Sequence, residues 1–359
     1  MKSKIPFTLL ALTFLLPVLC PAQEEPAKQK ELPPDAILAP QQYTPLQSIG
    51  WIPCHQPELN LPDFIRIAPL SDGTLVLLSQ TQKTAYRIDL QGNVLASWGG
   101  GGEEEGLFGH AQGLAVSPDD LIYIIESQPT RGQIFKPDGT FVDTFKEYLG
   151  MINFTFAPNG DIYCSPFVLL FRPDMQPARL WVFTPLGGLK KSFPMPRETD
   201  FPEMNSGLPM TPVLIGGHVY LGDVSNTAIQ VFSLDGAFER EFEVDDPRFA
   251  QRVQAYREKA KAAPAGRPIQ GVPIFGRSMC RKIAALEGDL LFNVALDVPG
   301  LEFLRVNTDG KVVCSYFIET DEKTGLFDFV VLHGDAGPLF ACIKVGEQRG
   351  ILILKPLEN

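Results

Sequence analysis

Residues 218–236 read His-Val-Tyr-Leu-Gly-Asp-Val-Ser-Asn-Thr-Ala-Ile-Gln-Val-Phe-Ser-Leu-Asp-Gly. Two short runs rich in β-branched and aromatic residues flank a polar turn, and Asp235-Gly236 closes the second run. That is the pattern of two hairpin strands with a tight turn after the second. Asp223 stands 13 positions before Gly236, and the same spacing separates Ser79 from Gly92, Glu126 from Gly139, Asp174 from Gly187 and Asp297 from Gly310. The glycines succeed one another at intervals of 47, 48, 49 and 74 residues.

A period in the forties made of short strands and turns predicts β-propeller blades of four strands each. The units run from about Ile65 to Trp98, Gly113 to Phe145, 151 to 195, 210 to 244 and 279 to 319. A last unit offers only three strands, Phe327 to Leu332, Leu339 to Lys344 and Gly350 to Lys355. Tyr43 to Ile52 is a spare strand ahead of the first unit. The expected fold is therefore all-β, a six-bladed propeller over 43–359 whose ring an N-terminal strand closes, which also hides two sheet edges. The 74-residue interval contains an insertion at 245–278, between the fourth and fifth blades.

Gly106-Leu107-Phe108-Gly109-His110-Ala111-Gln112-Gly113-Leu114-Ala115-Val116 resembles the inter-blade signature of NHL-repeat propellers, and Val219 to Gly236 is similar to the body of such a repeat. The resemblance implies the propeller architecture for 43–359. It implies little about activity, because these propellers include lyases, lactonases and pure binding proteins.

The bulk composition, 45% hydrophobic and 20% charged over 359 residues, is that of a globular chain, and 32 Gly with 32 Pro suit its many turns. Lys2 and Lys4 precede an apolar run from Ile5 to Leu19, and Cys20-Pro21-Ala22 offers a small-residue cleavage site. Residues 1–22 thus read as an export signal, which places the protein in a periplasm or outside the cell. A competing reading makes Cys20 a lipid attachment point, which Pro17-Val18-Leu19 fits poorly. Residues 23–42, rich in Glu, Pro, Lys and Gln, read as a flexible tether. No other run is long and apolar enough to cross a membrane. Cleavage leaves Cys54, Cys164, Cys280, Cys314 and Cys342, an odd number without metal-ligand spacing, and Cys54 with Cys342 is the one disulfide the blade scheme suggests. A net charge of −11 without a basic stripe argues against a nucleic-acid partner.

In such blades the middle hairpin and the inter-blade linker emerge on one face. Ser79, Glu126, Asp174, Asp223 and Asp297 share it with the loop Gly99 to Gly106 and with the insertion, which makes it the working face. The hairpin acids either cap their own turns or bind a ligand. The loop lacks the ending of a phosphate loop and reads as a flexible linker with solvated Glu103, Glu104 and Glu105. In the insertion, Asp246 is a good N-cap and Pro247 suits the first helical position. Phe249, Val253, Tyr256 and Ala260 then fall on one helical face, and Pro264-Ala265-Gly266 ends it. Seven basic residues against three acids give 245–278 a charge of +4. It is either a lid or partner-binding element over the acidic face, or a helix packed on the rim.

The candidate ligand-binding residues are His110, Gln112, Glu126, Asp223, Asp297, Arg252 and Tyr256. The first functional reading is a monomeric binding module for a protein, peptide or glycan, with no cofactor. The alternative is a metal-dependent lyase or lactonase at the central channel, holding calcium or zinc. Zinc needs convergent imidazoles, and the four histidines (55, 110, 218 and 333) fall at different blade positions. Calcium needs several oxygens, for which Glu126, Asp223 and Asp297, then Asn226 and Asn293, are the candidates. No nucleophile motif points to a third chemistry.

Overall fold

Turn glycines set the frame. Gly92, Gly139, Gly187, Gly236 and Gly310 all have positive φ, between 81° and 95°, where a side chain is strained. A Cβ at each would also fall 3.0 Å or less from a side chain of another strand: Ile52, Trp98, Phe145, Phe193 and Phe242 respectively. In the last four cases that side chain belongs to the outer strand of the preceding sheet, and Ile52 belongs to the N-terminal strand. The recurrent glycine is thus a contact between sheets as well as a turn.

The structure is a computed structural model that describes residues 32–54, 65–145, 153–165, 178–194, 196, 209–262, 273–275, 282–334, 337–345 and 348–357. The chain divides into two compact units, Met1–Pro33 and Pro34–Asn359. The second unit carries the sheets and opens with β1 (Thr44–Pro53). The first sheet holds β2 (Arg66–Pro69), β3 (Leu75–Ser79), β4 (Thr84–Ile88) and β5 (Val94–Gly99). The second holds β6 (Ala111–Val116), β7 (Ile122–Ser127), β8 (Thr130–Phe135) and β9 (Phe141–Phe145). The third holds β10 (Asn153–Phe156), β11 (Ile162–Ser165), β12 (Ala178–Phe183) and β13 (Leu189–Pro194). The fourth holds β14 (Val213–Ile215), β15 (His218–Gly222), β16 (Ala228–Ser233) and β17 (Phe238–Glu243).

After the helix α1 (Ala250–Ala262) come β18 (Ile283–Leu286), β19 (Asp289–Val294), β20 (Leu301–Val306), β21 (Val312–Ile318), β22 (Gly325–Gly334), β23 (Gly337–Val345) and β24 (Gly350–Pro356). With β1 these strands form an eight-stranded sheet in the order β18-β19-β20-β21-β1-β24-β23-β22. β1 joins its halves: Thr44 and Pro45 pair parallel with Tyr316 and Phe317, and Leu46 to Pro53 pair antiparallel with Pro356 to Gly350. The spare N-terminal strand therefore lies where its place in the sequence suggests.

The middle strands β3, β11 and β12 are buried along their whole length, because sheets cover both faces. Separate apolar clusters lie between consecutive sheets. Trp181 and Phe183 meet Tyr123 and Phe145 between the second and third sheets, and Phe193 meets Phe232 between the third and fourth. Leu77 and Ile88 meet Ile343 and Ile353 between β22–β24 and the first sheet. The first strands touch their neighbours in the series β10, β6, β2, β22, β18, β14, so they lie innermost. The architecture is all-β and propeller-like.

Two expectations change. Ile37, placed in a flexible tether, is wholly buried in the cluster between the fourth sheet and β18–β21. Its N–H donates to Asp297 Oδ2 at 3.0 Å, and its carbonyl accepts from the Asp297 N–H at 2.8 Å. A single well-placed isoleucine docks a segment whose average composition is that of a tether. The suggested disulfide does not form either: Cys342, like Cys164 and Cys314, is a free thiol. Cys342 is buried on β23, where desolvation pushes its pKa up to about 12, as expected of an inert core thiol. The export segment, Cys20, His55, Asp174, 264–266 and Cys280 lie outside the described residues.

The glycine contacts are testable by comparing two alanines. Gly217 also has positive φ, at 83°, but a Cβ there would meet nothing within 4 Å. Gly217→Ala should cost about 1–2 kcal/mol of unfolding free energy from backbone strain alone. Gly187→Ala, which must also displace Phe145, should cost about 1–3 kcal/mol more. Urea unfolding of the two variants measures the difference, and equal losses would remove the inter-sheet contact as the reason for the period.

Candidate functional site

The middle hairpins place Ser79, Glu126, Asp223 and Asp297 at one edge of four different sheets. Ser79 and Asp223 are engaged within their own turns. Ser79 Oγ accepts from the Gln82 N–H at 3.2 Å, and Asp223 Oδ1 from the Ser225 N–H at 2.8 Å. These residues share a face without converging on a point.

Glu126 organises the glycine–glutamate loop. Fully buried, it accepts at Oε1 from Arg131 Nε (2.8 Å) and Gln133 Nε2 (2.7 Å), and at Oε2 from the Gly109 N–H (2.6 Å). Arg131 then donates through Nη1 to the Glu103 carbonyl at 2.5 Å, and through Nη2 to those of Glu104 (3.1 Å) and Leu107 (2.8 Å). The loop read as a flexible linker is clamped through its own backbone. Its three glutamate side chains stand exposed on that fixed base.

His110 comes directly after the loop at the start of β6 and is exposed. Its Nε2 lies 3.0 Å from Gln80 Nε2, and its Nδ1 lies 2.9 Å from Gln112 Nε2 and 2.8 Å from Ser127 Oγ. A neutral imidazole donates at one nitrogen and accepts at the other, so one of the two amides must present its oxygen instead. The result is a patch of amides and an imidazole spanning two sheets. On the inner strands, Asp328 accepts from the Ile67 N–H (3.1 Å) and from Lys282 Nζ (3.3 Å). That carboxylate ties three neighbouring first strands together and is neutralised there.

The insertion begins as its sequence suggests. Asp246 caps it by accepting from the Arg248 N–H at 3.0 Å, and Pro247 opens a 3-10 turn that runs into α1. Phe249, Val253 and Tyr256 are buried and Ala260 is half-buried. Phe249 packs edge-on to Phe275, which stacks on Phe292 of β19 with centroids 4.5 Å apart. The helix is wedged between the fourth sheet and β18–β21.

Its arginines are spent on holding it. Arg248 makes a two-pronged pair with the fully buried Glu302, at 2.8 and 2.7 Å. Arg257 pairs with Glu243. Arg252, almost fully buried, pairs with Asp297 and lies 3.5 Å from Asp35. Burial works against the charge of Asp297, but Lys323, the Ile37 amide and Arg252 outweigh it and hold its pKa at about 2.

Four of these residues escape a reading of the sequence: Arg131, Gln133, Arg179 and Glu302. Arg131, Arg179 and Glu302 each stand eight positions before a turn glycine, a signal that is present but changes sign between units. Arg179 is buried and donates to Gln230 Oε1 at 2.8 Å. Desolvation lowers its pKa to about 10 although Asp223 favours the charge. Among the described residues no three His, Cys, Asp or Glu side chains lie close enough to hold a metal ion. Among them, too, no helix is long and apolar enough to cross a membrane.

No protein-family model matches the chain, and no curated protein does. Solved structures match along most of it. A protein of Bacteroides fragilis described as exported shares 10% identity with a TM-score of 0.55, over 87% of this chain and 96% of its own. The PQQ-bound aldose sugar dehydrogenase of Streptomyces coelicolor shares 15% at 0.51, over 88% and 99%. A streptogramin B lyase shares 14% at 0.50, over 86% and 97%. At these identities the likeness is one of fold.

Two substitutions probe the geometry. Glu126→Gln removes the charge beneath Arg131 and should cost about 1–3 kcal/mol. It should also open the 103–105 bonds to a glutamate-specific protease under conditions that spare the native chain, as read by mass spectrometry. Asp297 is held below its ordinary value of 3.8, so its contribution is full above that pH and is lost as pH falls toward 2. The stability gap between native chain and Asp297→Asn should accordingly be widest above about pH 4 and shrink below it, as measured by urea unfolding against pH.

Proposed function

We propose that the chain is an exported six-bladed β-propeller of the NHL-repeat type that works as a binding module. The six blades are the four separate sheets and the two halves of the eight-stranded sheet, with β1 as the closing strand. Residues 1–22 would be the export signal, leaving a monomer in the periplasm or outside the cell, with attachment through Cys20 as the lipid-anchored variant. The ligand, a protein, peptide or glycan rather than a nucleic acid, would lie on the face that carries loop 99–110 and the 245–278 insertion.

One observation carries this reading. The ionisable groups of that face that are buried are bound to one another or to loop backbone, and beside them lies the patch of exposed His110 with half-buried Gln80 and Gln112. Amides and an imidazole both donate and accept hydrogen bonds, which suits hydroxyl- or carbonyl-rich ligands. In this reading His110 and Gln112 touch the ligand. Glu126, Asp223, Asp297, Arg252 and Tyr256 hold the platform in shape.

The test uses residues 23–359, purified without chelator, on glycan and peptide arrays beside the His110→Ala/Gln112→Ala double variant. A ligand class whose affinity falls about tenfold in the double variant, at unchanged melting temperature, supports the proposal. One calcium or zinc held per chain, with a lower melting temperature in EDTA, would overturn it in favour of a metal-dependent lyase or lactonase at the channel.

A further inference from the structure

At the end of the inner strands opposite His110, the chain leaves an opening of about 600 Å³. It lies where β2, β6, β10 and β22 finish, and its size is within the range of roughly 300–1,000 Å³ usual for small-molecule sites. Half-buried Val116, Phe156 and Val331 line it. The rim is polar, and Asp120 on it is unusual in two ways.

The first is its backbone. Asp120 donates its N–H to the Ser117 carbonyl at 3.0 Å, as Gly73 does to Leu70 (3.1 Å) and Gly160 to Ala157 (2.9 Å) in the neighbouring sheets. Those glycines have φ of 81° and 82°, and Asp120 takes 59°. An aspartate thus occupies a left-handed position that glycine fills on either side, a strain that aspartate tolerates better than most residues. Its carboxylate is then fixed by Ser71, accepting from the N–H at 2.9 Å and from Oγ.

The second is its charge. Asp72, also on the rim, is neutralised by Arg87, and Asp161, at the next such turn, by Lys190 at 2.7 Å. Among the described residues no cation stands beside Asp120. A rigid, uncompensated carboxylate at the mouth of an aromatic- and aliphatic-walled opening is complementary to a cation with an apolar body.

We propose that this opening is a second binding site, independent of the working face, for a small organic amine. Its ammonium group pairs with Asp120, and its apolar body lies against Val116, Phe156 and Val331.

Phenethylamine is the probe, with phenethyl alcohol and 3-phenylpropionate as its neutral and anionic counterparts, titrated calorimetrically into residues 23–359. The amine should bind at one site, about tenfold or more tighter than either counterpart. Asp120→Asn keeps an acceptor for Ser71 and tolerates the backbone, and should bring the amine down to the affinity of the alcohol. Asp120→Gly, which relieves the strain, should do the same with an unchanged fold by circular dichroism. His110→Ala should leave amine binding as it is in the native chain, which separates this site from the first. No saturable amine binding up to about 10 mM, or full affinity in Asp120→Asn, would overturn the proposal.

Discussion

The turn glycines carry two constraints at once, and the rest of the structure hangs on that coincidence. A left-handed φ alone could be met by asparagine or aspartate, as Asp120 demonstrates. What excludes any side chain at Gly139, Gly187 or Gly236 is the neighbouring sheet, whose Trp98, Phe145 or Phe193 occupies the space. The contact sets how closely one sheet approaches the next, and hence where the inner strands meet. The regular spacing in the sequence is a record of packing between blades, more than of turn formation within one.

That origin explains what could be read from the chain. Strand positions, the capped start of the insertion at Asp246 and the role of the N-terminal strand all arise from local patterns with a fixed period. Residues 35–40 do not, because one isoleucine in a Pro- and Glu-rich stretch carries no periodicity, and only the folded cavity near Asp297 distinguishes it. The loop clamp was half legible. Glu126 stood out by its spacing, but its partners Arg131 and Gln133 lie five and seven residues on in the next strand, and the only mark on either is the place of Arg131 eight before a turn glycine, where the charge changes sign between units. Asp120 was hidden inside an ordinary-looking Pro-Asp-Asp turn.

The charged groups show how a repeat accommodates different linkers. At the position eight before the turn glycine, Arg131 faces backbone carbonyls of the loop before its sheet. In the fifth unit the same place holds Glu302, and the preceding segment supplies Arg248. Sign is reversed, function retained. Buried pairs of this kind add little net stability compared with apolar packing, yet losing one partner is costly. They act as locating pins that fix a linker in one arrangement.

β1 gives the sheets a clasp made from segments far apart in the chain. Leu46 pairs with Pro356 and Thr44 with Tyr316, so β1 cannot meet these neighbours until β21 and β24 have been made. The entropy of closing so long a loop grows only slowly with length, but the contact is strongly non-local, and non-local pairing slows folding. Until residues 350–356 have been made, β1 has no antiparallel neighbour, and β24 leaves an open edge until β1 arrives. A chain cut short by premature termination would keep a row of unpaired backbone groups on display. The clasp thereby separates finished molecules from unfinished ones by which backbone they leave uncovered.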